Sequence, residues 1–488
     1  MIWTEVGEGQ GLDHLSMQTM VEAVYQERLP GLSSVTTRLR NYSFHAWWLT
    51  HYATRRRQVS VQAFRQHARA GERLYALAAM QIPGETGTEG SEAALAQLAL
   101  GGELIDFAPE GNQGGGAFQN IYRGPMVQMG LVAEGEHGLP VPTVAGHALA
   151  AAYAASLGEA AAEAFASAAT QGFISRVDLA LLKEMGPSRL PLDGEEAGLL
   201  RAFFLGIKDV MTPLLDKGIN GAEILRQAAE RRATLLAVLQ VAAADPQLAV
   251  SSDLLRWLWL ETPAEGPRAE TQKKWQAFQS GDMVRIAYEA ILGKIQRFLE
   301  DHPAGLSLSV LVDEVSRDVP MTPFGAWLDE LSDLGAESLQ QAQTRALRKD
   351  ASLTEILAPV AWLRAFWEGR QGDVAAAFPV SEGAQSLWTE LEWIQGERHA
   401  PAREAIGQML RNKIILRHLE VAARKFRAQR NYTNIVEIED ARLRSVGGFG
   451  PAFSGPRLPT AIRFLQDVDL LKNGRITARG RAVLEAAT

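Results

Sequence analysis

Apolar residues recur every three to four positions over 195–215, 221–245, 273–300, 352–369 and 403–428. That spacing places them on one side of a helix and predicts a helix over each stretch. From Val144 to Thr170 alanine dominates and no proline interrupts, so a further helix is expected there. Alternating or β-branched runs are few and short. Ile435–Glu439, the segment around Leu131–Val132, and Gly474–Thr477 are the strand candidates. The pattern predicts a mainly α protein with small β ribbons.

Glycine and proline clusters interrupt it. Pro83–Gly90, Pro109–Gly116, Glu261–Arg268 and Gly447–Pro456 have the chemistry of turns and linkers. They divide the 488 residues into an N-terminal helical unit 1–82, a helical domain 91–260, a second helical domain 265–400 and a basic domain 403–488. One internal echo stands out. An apolar step at Gly130-Leu131-Val132 is followed by a polar excursion and Thr143-x-x-Gly146, and Asp469-Leu470-Leu471 is followed by Thr477-x-x-Gly480. Threonine is a good helix N-cap, and the glycine allows close packing. Helix, hairpin, then capped helix is how a winged-helix unit ends. A C-terminal winged-helix module is therefore expected, with a second winged-helix-like unit near 90–150.

Composition then removes whole classes of chemistry. There is no cysteine, which excludes disulfides, thiolate metal sites and cysteine nucleophiles and fits a reducing cytoplasm. No apolar run reaches membrane-spanning length, and the first residues lack a secretory pattern, so a cytoplasmic protein without a membrane partner is expected. No phosphate loop, His-Glu-x-x-His or Gly-x-Ser-x-Gly motif occurs. The Gly111–Gly116 run has no following lysine and reads as a loop. His45 and His51 are six apart and would lie on opposite faces of a helix. Asp282, Arg285 and Glu289 share a face and read as a structural ion pair. No catalytic residue, metal site or cofactor is predicted.

Charge is unevenly divided. The total is −8, yet residues 411–488 carry 15 basic and 7 acidic side chains, whereas 81–410 carry 25 basic and 44 acidic. Such a division speaks about partners. Two candidate contact surfaces follow. The N-terminal one is Arg38, Arg40 and Tyr42, with Phe44, Trp47 and Trp48 behind them and Arg55, Arg56 and Arg57 beyond. Arginines among aromatics make either a stacking platform for single-stranded nucleic acid or an aromatic core helix with paired arginines. The C-terminal surface is Arg457, Arg463, Gln466, Lys472, Arg475 and Arg479, on the expected recognition helix and wing. Its cations suit phosphate contacts more than base readout.

The run Pro30-Gly31-x-Ser33-x-x-x-Thr37-Arg38-x-Arg40-x-Tyr42, followed by an aromatic-Trp48-Leu49 helix, resembles the opening of a broad group of uncharacterised, mainly helical bacterial proteins often encoded beside phage-defence genes. The resemblance covers residues 1–60 and implies no catalytic residue. With the charge division, it leads us to expect a non-enzymatic scaffold or nucleic-acid-sensing subunit of an anti-phage system. Such a subunit would contact DNA or partner subunits through the basic C-terminal module. The alternatives are a winged-helix transcription regulator, or a metal-dependent nuclease built on Glu437, Glu439 and Asp440.

Overall fold

The computed structural model describes residues 13–55, 60–108, 116–135, 138–216, 220–378, 385–430 and 432–487. The protein is mainly helical, and its strands among the described residues form four two-stranded antiparallel ribbons. All three strand candidates appear, as Val132–Glu134, Val436–Glu439 and Arg475–Ile476.

The chain divides differently from the four consecutive domains expected. Met1–Tyr25 joins Asp253–Gly455 in one compact unit, and Gln26–Ser252 joins Pro456–Thr488 in the other. The expected basic domain 403–488 is therefore shared between two bodies. Glycine and proline clusters mark where the backbone turns; they do not record which apolar faces later bury one another.

In the unit containing Gln26–Ser252, the helix Arg40–Arg55 is the centre. Eleven of its sixteen residues are buried. It packs against Val144–Leu157 and Val61–Met80. Phe44 stacks on Tyr75 at 4.0 Å, and Trp47 and Trp48 both meet Phe165. The Trp48 indole lies where a side chain on Gly71 would stand, and its Nε1 donates to His67 O at 2.8 Å. The N-terminal aromatics are thus core.

Two expected helices are each broken by a glycine. The alanine run splits into Val144–Leu157 and Glu159–Gln171 because Gly158 takes φ +82°, ψ 157°, a conformation essentially reserved for glycine. The 195–215 stretch splits into Glu195–Leu205 and Lys208–Met211 around Gly206, at φ +63° and pressed against the Ala228 backbone.

The other unit is organised by the 32-residue helix Ala269–Glu300, about 48 Å long. It is buried on every side from Trp275 to Gly293. Leu353–Phe366 packs along it. The expected helix 403–428 is present but relaxes into a π-turn at Met409–Ile415, between Ala402–Gln408 and Leu416–Gln429. That turn carries Lys413 onto buried Glu390 at 2.9 Å, where Tyr288 also donates at 2.5 Å.

Candidate functional site

The internal echo is a structural repeat. The first copy runs through the helix Arg123–Gln128, the ribbon Val132–Glu134 with Pro140–Pro142, and the helix Val144–Leu157. The second runs through Leu458–Asp467, Leu471–Lys472 with Arg475–Ile476, and Ala478–Glu485. Each first helix ends in a left-handed residue, Gly130 at φ +75° or Asp469 at φ +58°. The next N–H then reaches back five residues, Leu131 to Met126 O at 2.9 Å and Leu470 to Leu465 O at 2.8 Å. Thr143 and Thr477 close both loops alike. Each hydroxyl donates at 2.7 Å to the carbonyl of the left-handed residue, and accepts at 3.0 Å from the glycine N–H three positions on. A Cβ on Gly146 or Gly480 would collide with the backbone carbonyl of Leu131 or Leu470.

The cations of the second copy are placed unequally. Arg463, Lys472 and Arg475 are exposed and hold no ion pair among the described residues. Arg481, in the capped helix, is also exposed. Arg479 is engaged, bonded to Asp193 at 2.6 Å and lying 3.9 Å from Asp469. Arg457 is half-buried and donates to Leu29 O at 3.3 Å. Gln466 is half-buried. Most of the rest of the helix Leu458–Asp467 faces inward: Phe464 meets Tyr42 and Phe204 edge-on.

The N-terminal surface expected from Arg38, Arg40 and Tyr42 is not a surface. Arg38 is buried between Glu85 at 2.8 Å and Asp467 at 3.0 Å. Asp467 also accepts from Leu39 N at 2.8 Å. Burial pushes the Asp467 carboxyl up, while Arg38 and the Leu39 N–H pull the other way. Arg40 is 1% exposed, paired with Glu196 and bonded to the carbonyls of Glu184 and Gly186. Its ring partner is Tyr153, not Tyr42. The Tyr42 hydroxyl donates to Gly31 O at 3.1 Å. Arg231, wholly buried, gathers the carbonyls of Pro30, Phe203 and Phe204, and burial lowers its pKa to about 10. The run from Pro30 to Tyr42 is therefore an internal strap. Of the downstream arginines, Arg55 is exposed; Arg56 and Arg57 lie outside the described residues.

Glu72 escaped the sequence reading. It stands on one wall of a cleft of about 540 Å³, with Ala76, Leu77, Glu89, Phe107 and Ile121. Its carboxylate accepts from Ala117 N at 2.9 Å and Phe118 N at 2.6 Å, where the π-turn Phe118–Tyr122 begins. Burial pushes its pKa up to about 7, against those two hydrogen bonds and Arg69. Nothing in the local sequence marks a glutamate for this role, because its partners come from 45 residues downstream. The Gly111–Gly115 part of the neighbouring run lies outside the described residues.

Asp282, Arg285 and Glu289 form the expected ion pair, and it is buried, with Arg285 bonded to Asp282 at 2.9 Å and Glu289 at 2.6 Å. It pins the glycine-rich loop through Ser454 and Ala452 O. The acids of the nuclease alternative are held separately: Glu437 by Tyr432, Glu439 by Arg444, and Asp440 in the ribbon's left-handed turn. No group of three or more His, Asp or Glu able to hold a metal ion occurs among the described residues. Among them too, no helix is long and apolar enough to cross a membrane.

No family model matches the chain, and neither a curated protein nor a solved structure does.

Proposed function

We propose that this protein is a non-enzymatic, cytoplasmic subunit of a bacterial anti-phage system that contacts the phosphate backbone of DNA through its C-terminal helix–hairpin–helix. In this reading that module is a winged helix, with Lys472 and Arg475 in the wing. The observation that carries the reading is the exposure of Arg463, Lys472 and Arg475 without ion pairs among the described residues. Free cations on one small module release counterions from a polyanion, giving salt-dependent affinity. The inward packing of Leu458–Asp467 leaves Arg463 and half-buried Gln466 as its reach towards bases, which favours backbone contact over sequence readout. The defence setting rests on the resemblance of the N-terminal run.

The test is binding to duplex and single-stranded DNA over a salt series. Arg463→Glu with Arg475→Glu is expected to weaken binding uniformly across sequences and to lower the log–log salt slope by about 2. Binding that is insensitive to salt, or unchanged by the double substitution, overturns the proposal.

A further inference from the structure

The two most exposed large apolar side chains among the described residues, Leu100 at 79% and Val177 at 78%, lie on one structural neighbourhood. Leu100 ends the helix Ser91–Ala99. Leu104–Asp106 then pairs with Phe173–Ser175, Leu104 opposite Ser175 and Asp106 opposite Phe173. In that register Leu104 and Phe173 stand diagonally on the same, outward face, while Ile105 and Ile174 point inward. Val177 and Leu181 follow, one turn apart, on the short helix Arg176–Leu181. Arg176 ties the pieces together through Glu103 O, Gly102 O and Leu98 O. Leu104, Phe173 and Leu181 are exposed as well.

Five large exposed apolar side chains, two on the ribbon and three on the helix ends beside it, are more than scattered surface residues, and apolar patches of this kind mark contact sites. The exposed charge beside them is mostly acidic. The exposed charged residues of 91–106 and 173–184 are Glu92, Glu103, Asp106, Asp178 and Glu184, against Lys183 alone. These acids repel anionic lipid headgroups, which disfavours a membrane as the occupant. The adjoining run 109–115, Pro-Glu-Gly-Asn-Gln-Gly-Gly, supplies no large apolar side chain to cover the patch.

We infer that the Leu100–Leu104–Phe173–Val177–Leu181 face docks a basic amphipathic segment of a partner protein, its apolar side on the ribbon and its lysines or arginines on the neighbouring acids. This surface is built from other elements than the cationic module, so its test is independent of DNA binding.

The full-length protein is titrated with a leucine–lysine amphipathic peptide and with its leucine–glutamate counterpart. The lysine peptide is expected to bind at least about tenfold more tightly. Leu100→Ser with Val177→Ser should weaken it by about tenfold, while Glu92→Lys with Glu103→Lys should weaken it and flatten its salt dependence. Hydrogen exchange should slow over 98–107 and 172–181. An unaltered thermal melt shows that the substituted chains still fold. The inference falls if the apolar pair leaves affinity unchanged, since a generally acidic surface would then account for binding. It also falls if exchange slows elsewhere. A dimer in sedimentation that the apolar pair abolishes assigns the face to a second copy and overturns the proposal.

Discussion

The two helix–hairpin–helix copies share one backbone device but differ in how far it is buried. In the first, the capped helix Val144–Leu157 carries no charged side chain and packs against Arg40–Arg55. In the second, the capped helix Ala478–Glu485 has few buried residues, and the copy carries Arg463, Lys472, Arg475, Arg479 and Arg481. Their entry helices also engage the N-terminal strap differently. Gln128 of the first accepts the Gly31 N–H at 2.6 Å as a neutral group, whereas Asp467, at the equivalent position of the second, brings a charge that Arg38 must balance. The Thr-x-x-Gly turn therefore specifies a shape. Whether that shape is buried or exposed is decided by side chains outside the turn.

The largest expected effect tests the charged half of that contrast. Arg38→Met leaves both Asp467 and Glu85 without their cation in a buried site, and should cost about 3–5 kcal/mol in denaturant unfolding. Adding Asp467→Asn should recover part of it. If Arg38→Met costs no more than a surface substitution, the strap does not depend on this pair.

Next comes Glu72, which caps the π-turn leading into the first copy; the second copy's entry helix carries Pro459 in its first turn instead. Burial raises its pKa from an ordinary 4.5 to about 7 in the folded chain. The unfolded chain therefore gives up this proton first as pH rises, and stability should fall between about pH 4.5 and 7 by roughly 2–3 kcal/mol. Glu289, likewise raised by burial to about 7 in the other unit, acts in the same direction. The diagnostic is thus the difference between wild type and Glu72→Gln: the variant should lose only part of the slope, and an identical slope would refute the assignment.

Gly146→Ala and Gly480→Ala place the same methyl group against the same kind of carbonyl. Overpacking costs about 1–3 kcal/mol. The upper end is expected at Gly146, whose helix is core, and the lower end at Gly480, whose helix is mostly exposed, read by thermal melts. Equal losses would mean that the second copy is as integral as the first. Thr143→Val and Thr477→Val each remove a cap and should cost about 1 kcal/mol. Smallest of all, Arg463→Glu with Arg475→Glu should change stability by no more than about 0.5 kcal/mol, so that any change in DNA binding reports on the surface alone.

Much of the secondary structure was legible because it is local. The strand candidates, the long helix through 273–300 and both threonine caps depend on spacing and on a few neighbouring residues. The breaks at Gly158 and Gly206 were not read, since glycine inside an alanine-rich or apolar run is compatible with either helix or turn until packing chooses. The candidate site was half legible. Lys472 and Arg475 are exposed on the hairpin, but Arg479 is engaged by Asp193, nearly three hundred positions away. Arg38 and Arg40 were offered both as contact residues and as paired core arginines. Only long-range partners, Asp467 and Glu196, resolve that choice.

By itself the sequence determined a mainly helical chain without cysteine chemistry, two Thr-x-x-Gly turns, an Asp282–Arg285–Glu289 ion pair on one helix face and a basic C-terminal end. These follow from short-range geometry: helical period, capping and charge order along the chain. The tertiary structure alone decided that residues 456–488 join Gln26–Ser252 while 403–455 do not, that the Pro30–Tyr42 run is an internal strap, and which cations stay exposed. Those outcomes depend on which apolar faces and buried charges find each other across hundreds of residues, and local pattern holds no record of that pairing.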